Sequence, residues 1–181
     1  MIAKMISTQS LEKRLDTKRA LIYFFVAYTV VTVFATATTV VYGIANRMPE
    51  NEPGVSLLKD PSFTATVPYH VLIMLLVWPV FAWLYFRERQ QDNPDKEAME
   101  TLHLSLLWLA AAIVVDWVCF VLIEHPYSLT PHEFYVEYQP WISLIYASIF
   151  LSSLIHLGLS RLLTKRVEVS SAAADLTSID H

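Results

Sequence analysis

The stretch Leu102–Ile123 reads LHLSLLWLAAAIVVDWVCFVLI, with one carboxylic acid, Asp116, and no Lys or Arg. A helix rises 1.5 Å per residue, so roughly 20 apolar residues cross the hydrocarbon core of a bilayer. This stretch is long enough. Three others, Ala20–Ala45, Ala65–Phe86 and Trp141–Leu163, meet the same condition. The expected fold class is all-α: an integral membrane four-helix antiparallel bundle forming a single domain over residues 1–163. Residues 164–181, rich in Ser, Ala and Asp and without aromatics, are expected to be a disordered cytoplasmic tail.

Composition excludes most alternatives. With 55% hydrophobic and 17% charged residues and a mean hydropathy of +0.42, the chain is too apolar for an ordinary soluble domain. A net charge of −4 without a long basic tract gives nucleic acid no electrostatic footprint. Cys119 is the single cysteine, so an intramolecular disulfide and a CxxC site are impossible. A secretory leader cleaved after Ala35-Thr36-Ala37 is the competing reading of the first apolar run, but that run continues through Val40, Val41 and Ile44, too long for a leader's core. Residues 1–19 place Ile2, Met5, Ile6, Leu11 and Leu15 among basic residues, a solvated lead-in with modest amphipathic character.

Charge sets the expected orientation. Lys4, Lys13, Arg14, Lys18, Arg19, Arg87, Arg89, Lys96, Arg161, Lys165 and Arg166 fall on one side of the four spans, against Arg47 and Lys59 on the other. By the positive-inside rule both termini and the middle loop are cytoplasmic. Asn93-Pro94 reads as an N-cap with Pro at the first helical position, Pro140 as a similar start for the fourth helix, and Pro79 as a kink beside Trp78.

Polar residues inside the spans carry the functional reading. Thr29, Thr32, Thr36, Thr39 and Gly43 fall within about 80° on the first helix, an expected packing seam, because small and hydroxyl-bearing residues hold helices together in lipid. Ser105, Ala112, Asp116 and Cys119 share a side of the third helix, and Ser148, Ser152 and His156 a side of the fourth. A carboxyl within a span costs several kcal/mol unless it faces the interior with a partner or stays protonated. Counted along the helices, Asp116 lies about 10 Å below the outer boundary, level with Thr36, Thr39, Tyr146 and Ser148 and near His70. These six residues are the expected ligand-binding site.

Weaker constellations complete the inventory. His125, His132, Glu133 and Glu137 in the outer loop are potential metal donors without a known ligand spacing; His70 and His125 are a poor haem pair, differing in depth by about 9 Å. Asp92 and Asp95 fit a helix start better than a Mg²⁺ site, and His156 is expected to bond a hydroxyl such as Ser152. GxSxG, HExxH, GxGxxG and the P-loop pattern are all missing. No catalytic residue, metal or cofactor is therefore expected. The favoured role is binding, as a receptor for a small or lipid-like ligand near Asp116 or as an accessory subunit, with membrane lipids, a homo-oligomer or a larger membrane complex as partners. A small oligomeric proton-coupled transporter and a membrane enzyme on a lipid-like substrate rank next.

The orientation is testable with single cysteines at Ser56 and Ser128 in a Cys119→Ser background. Both should react with an impermeant maleimide in intact cells. Reaction only after lysis, with a cysteine at Ser171 reacting before it, would invert the topology.

Overall fold

The computed structural model describes residues 16–49, 56–87, 94–125 and 128–178. Among these residues all regular structure is helical: α1 (Thr17–Ala45), α2 (Pro61–Phe86), α3 (Pro94–Asp116), continued by a π-helical turn over Trp117–Leu122, and α4 (Trp141–Ser178). A short 3₁₀ turn covers Leu57–Lys59, and a second π-helical turn Glu133–Glu137. Four helices, Thr17–Ala45, Pro61–Phe86, Lys96–Leu122 and Trp141–Leu163, are long and apolar enough to cross a membrane.

Local chemistry explains the boundaries. Asp16 accepts from the Arg19 amide and caps α1. The Asp60 carboxylate accepts from the amides of Ser62 and Phe63 at 2.7 and 3.1 Å, with Pro61 at the first helical position, so α2 starts four residues before the apolar run does. α3 begins at Pro94 as expected, whereas Asn93, Asp92 and the lead-in of residues 1–15 lie outside the described residues. α2 runs through Pro68 and Pro79 without ending. α4 begins at Trp141, one residue after Pro140, and continues to Ser178, so most of the segment expected to be a disordered tail has helical backbone. Ala172–Ala174 are the strongest helix formers, no Gly or Pro occurs in residues 164–178, and a helix already nucleated by the apolar part extends at little cost.

α1 packs on α2, α2 on α4, and α4 on α3, with a lighter contact between α1 and α3. Phe24, Trp78 and Trp108 form the centre, with ring centroids 5.6 Å apart for Phe24–Trp78 and 5.3 Å for Trp78–Trp108. Ala20, Ala27 and Ala82 are fully buried and let the backbones approach. Gly43 does the same at the other end of α1, where a Cβ would sit 2.9 Å from Ser62 Oγ.

The packing face of α1 is not the expected threonine seam. Ala20, Phe24, Ala27 and Val31 are buried, while Thr29, Thr32 and Thr36 are exposed. The Thr29 and Thr32 hydroxyls donate to the carbonyls of Phe25 and Tyr28 one turn back, each at 2.8 Å, so they need no neighbouring helix. Only Thr39 and Gly43, at the end of the seam, pack against α2.

Ala27→Leu should lower stability in detergent by about 1–3 kcal/mol through overpacking. Thr36→Leu should change it by less than about 0.5 kcal/mol. Thermal melts that rank the two in the opposite order would restore the threonine seam.

Candidate functional site

Leu104, Trp108, Ala112 and Asp116 follow one another at four-residue steps on α3 and are all buried. The stripe is apolar until its last member, and a carboxyl there must find a donor. It finds Tyr28, whose hydroxyl donates to Asp116 Oδ1 at 2.5 Å. Eight residues earlier on both helices, Trp108 Nε1 donates to the Ala20 carbonyl at 2.9 Å. Both contacts join residues 88 apart, so α1 and α3 run parallel in a constant register. Matching depths by counting from the outer ends of the spans pairs Asp116 with Thr36; the observed partner lies eight residues, or about 12 Å, nearer the start of α1. The two helices are staggered. Tyr28 was therefore missed, although it was the one tyrosine in the middle of α1.

The loop after α3 is not merely interfacial. Leu129, Phe134 and Tyr138 are buried and join the core, the Leu129 amide donates to the Phe120 carbonyl at 2.7 Å, and Phe134 lies parallel to Phe120 with centroids 6.2 Å apart. Segment 128–138 thus roofs Asp116. Tyr138 lies within electrostatic reach of the acid; burial, and then that charge, push its phenol above the usual range. Tyr146 approaches from α4, beside both Asp116 and Tyr135. Its hydroxyl is buried without a partner at hydrogen-bonding geometry, so it is a neighbour of Asp116 and not its donor, because such bonds weaken steeply outside that geometry. On the roof's outer surface Glu133 accepts from the Thr130 amide at 2.8 Å and hydroxyl at 2.9 Å, which holds its carboxyl below the usual range.

Of the residues expected around Asp116, only Tyr146 is brought beside it. The Thr39 hydroxyl meets Thr66 Oγ1 at 2.9 Å and His70 Nε2 at 3.0 Å, forming a separate buried polar cluster between α1 and α2. Ser148 donates to the Leu144 carbonyl at 2.7 Å, and Thr36 is exposed. Cys119, expected on the same side as Asp116, is exposed as well. The π-helical turn starting at Trp117 takes more residues per revolution than an α-helix, so three residues beyond Asp116 no longer return to its face.

A further carboxyl, Glu100, is buried near the start of α3, where Tyr85 donates to its Oε1 at 2.9 Å. Arg19 lies 5.8 Å from the Tyr85 ring and donates to the Leu84 carbonyl at 3.3 Å. Glu100 precedes the apolar run, which is why counting from Leu102 overlooked it. His156 stacks on Phe86 at 5.5 Å and 12°, while the expected partner Ser152 donates to the Ile149 carbonyl. In the segment between α3 and α4 His125 Nε2 lies 2.6 Å from the Cys119 carbonyl, and His132 lies 3.3 Å from Glu137. Among the described residues no three His, Cys, Asp or Glu side chains converge on a point where a metal could sit.

Tyr28→Phe strips a buried carboxyl of its donor and should lower thermal stability by about 1–3 kcal/mol. Tyr146→Phe removes an unpartnered hydroxyl and should cost less than about 0.5 kcal/mol or stabilise. In an Asp116→Leu background the Tyr28→Phe effect should nearly vanish; a double-mutant cycle without coupling would show that the pair contributes nothing. Compared with protein-family models, curated proteins and solved structures, the chain matches none.

Proposed function

We propose that the chain is a multi-pass integral membrane protein, a four-helix bundle with both termini in the cytoplasm, which acts by binding and not by catalysis, at a site centred on Asp116. Membrane insertion is supported by the outward-facing apolar side chains, among them Ile22, Leu76 and Leu162, each more than 60% exposed. Water would not tolerate so continuous an apolar surface on a single chain. The chain works among membrane lipids, alone, as a homo-oligomer or within a larger membrane complex.

The observation that carries the binding reading is the pairing of one buried acid with one idle buried hydroxyl. Tyr28 occupies Asp116 Oδ1, and the Tyr146 hydroxyl beside it has no partner. A buried polar group without a partner costs about 1–3 kcal/mol, which a small ligand bonded there would recover. The expected residues Thr36, Thr39, His70 and Ser148 drop to the periphery of this site, and Tyr28 and Tyr138 enter it.

Transport and lipid chemistry are less well supported. Phe24, Trp78 and Trp108 form an apolar layer, with the Asp116 site on one side and Glu100 with Tyr85 on the other. Such a layer interrupts a chain of proton carriers through the bundle. For lipid chemistry, Asp116 has no histidine bonded to it to share acid–base work, since His70 is engaged by Thr39.

Asp116→Asn keeps the shape and can still accept from Tyr28, whereas Asp116→Leu loses the bond. After purification in mild detergent, mass spectrometry of small molecules and lipids retained by the wild-type protein should show a species that Asp116→Leu loses. Asp116→Asn should remain folded and retain that species only if the acid's charge is unnecessary. An Asp116→Leu protein that folds and retains every species seen with the wild type would exclude this site.

A further inference from the structure

Beyond Val31, α1 contains no buried residue. A groove of about 470 Å³ runs along this half of the helix. Phe34, Ala37, Val41 and Ala45 line it at steps of three and four residues, so they form one continuous face of α1, and Tyr69 of α2 joins them. The groove extends from Phe34 to Asn46, a span of about 18 Å along the helix. Thr38, the hydroxyl residue midway along it, donates to the Phe34 carbonyl at 2.8 Å and asks nothing of an occupant.

Size decides among occupants. The volume of about 470 Å³ spread over that length gives a mean cross-section of roughly 26 Å². An α-helix about 10 Å across needs roughly three times as much, so a helix of a second copy does not fit within the groove. A single extended hydrocarbon chain fits, and the length is close to the roughly 15 Å that one leaflet of the hydrocarbon core offers it. Water finds no partner on such walls, and a dry void forfeits dispersion contacts with all of them.

The mouth of the groove supplies charge. Asn46 ends it, and Arg47 follows with φ 51°, a left-handed conformation in which glycine is the usual residue at a helix end. The amides of Arg47 and Met48 donate to the carbonyls of Ile44 and Gly43 at 3.2 and 2.9 Å, which closes α1 at this point. The Arg47 side chain is exposed and makes no ion pair among the described residues. Conformation alone makes this a poor place for an arginine. A guanidinium, however, matches a phosphate and holds it by two parallel hydrogen bonds.

We propose that this groove, given the membrane-spanning reading above, binds one glycerophospholipid, with an acyl chain lying along Phe34 to Ala45 and the phosphate on Arg47.

The test uses the full-length protein in phosphatidylcholine nanodiscs doped with a phosphatidylcholine that carries a photoreactive diazirine on one acyl chain, and peptide mass spectrometry locates the adducts. In the wild type, adducts on residues 34–46 should exceed those on the exposed α4 residues Leu159 and Leu162 at least threefold. Ala37→Trp, which fills the groove, should cut them at least fivefold. Arg47→Gly should cut them at least threefold yet melt no lower than the wild type, because glycine suits the backbone there. A diacylglycerol carrying the same diazirine lacks the phosphate and should label the wild type and Arg47→Gly alike. Labelling of α1 no stronger than that of α4, or unchanged by Arg47→Gly, would overturn the proposal. A dimer in the nanodisc that Ala37→Trp dissociates would overturn it too, by giving the groove to a second copy. Its failure is separable from that of the membrane reading: adducts spread evenly over all four helices leave the chain in the bilayer without a lipid site, and adducts on none remove the bilayer itself.

Discussion

The cost of placing the Asp116 carboxyl in an apolar interior organises the rest of the molecule. A buried acid needs a donor, and a donor must come from a helix held at the right height. Tyr28 meets that need and in doing so sets the register of α1 against α3, which the bond from Trp108 to the Ala20 carbonyl repeats eight residues away. α1 is consequently shifted along α3. The part of α1 beyond Val31 contains no buried residue and leans mainly on α2, through Thr39 and Gly43.

The same register places unlike layers one above another. Phe24, Trp78 and Trp108 fill the middle, where ring packing brings large apolar area together at little cost in side-chain freedom. Polar groups are kept to its two sides: Asp116 with its tyrosines on one, Glu100 with Tyr85 and Arg19 on the other. In both places a tyrosine from a neighbouring helix donates to an acid on α3. The phenol suits this because its ring packs as an apolar body while its tip supplies the hydrogen bond.

The fold was legible to a much greater degree than the site. Length and hydropathy located all four long helices, because an apolar run of that size has few other solutions. Starts set by caps were less visible: Asp60-Pro61 lies outside the apolar run yet begins α2. Asp116 stood out by its cost alone. Its partner did not, because periodicity determines which residues share a face and says nothing about how far one helix slides along another. The threonines misled for a related reason. A hydroxyl satisfied on its own helix carries no information about its neighbours, and at Thr29 and Thr32 that local bond is the one made. The π-helical turn broke the count at Cys119, since no residue type announces it.

The roof ties the site to the stability of the end of the bundle where α3 finishes and α4 starts. Leu129, Phe134 and Tyr138 are core residues, yet Tyr138 also lies within electrostatic reach of Asp116, and Tyr135, packed on Phe134, lies within reach of Tyr146. On the proposed reading, a ligand at Asp116 contacts groups whose burial holds segment 128–138 in place. A ligand that binds only when those rings are assembled stabilises the assembled roof by the same free energy with which it binds. On the proposed reading, binding at an acid inside the bundle is in this way coupled to the arrangement of a loop at its surface, a coupling that requires no helix to move.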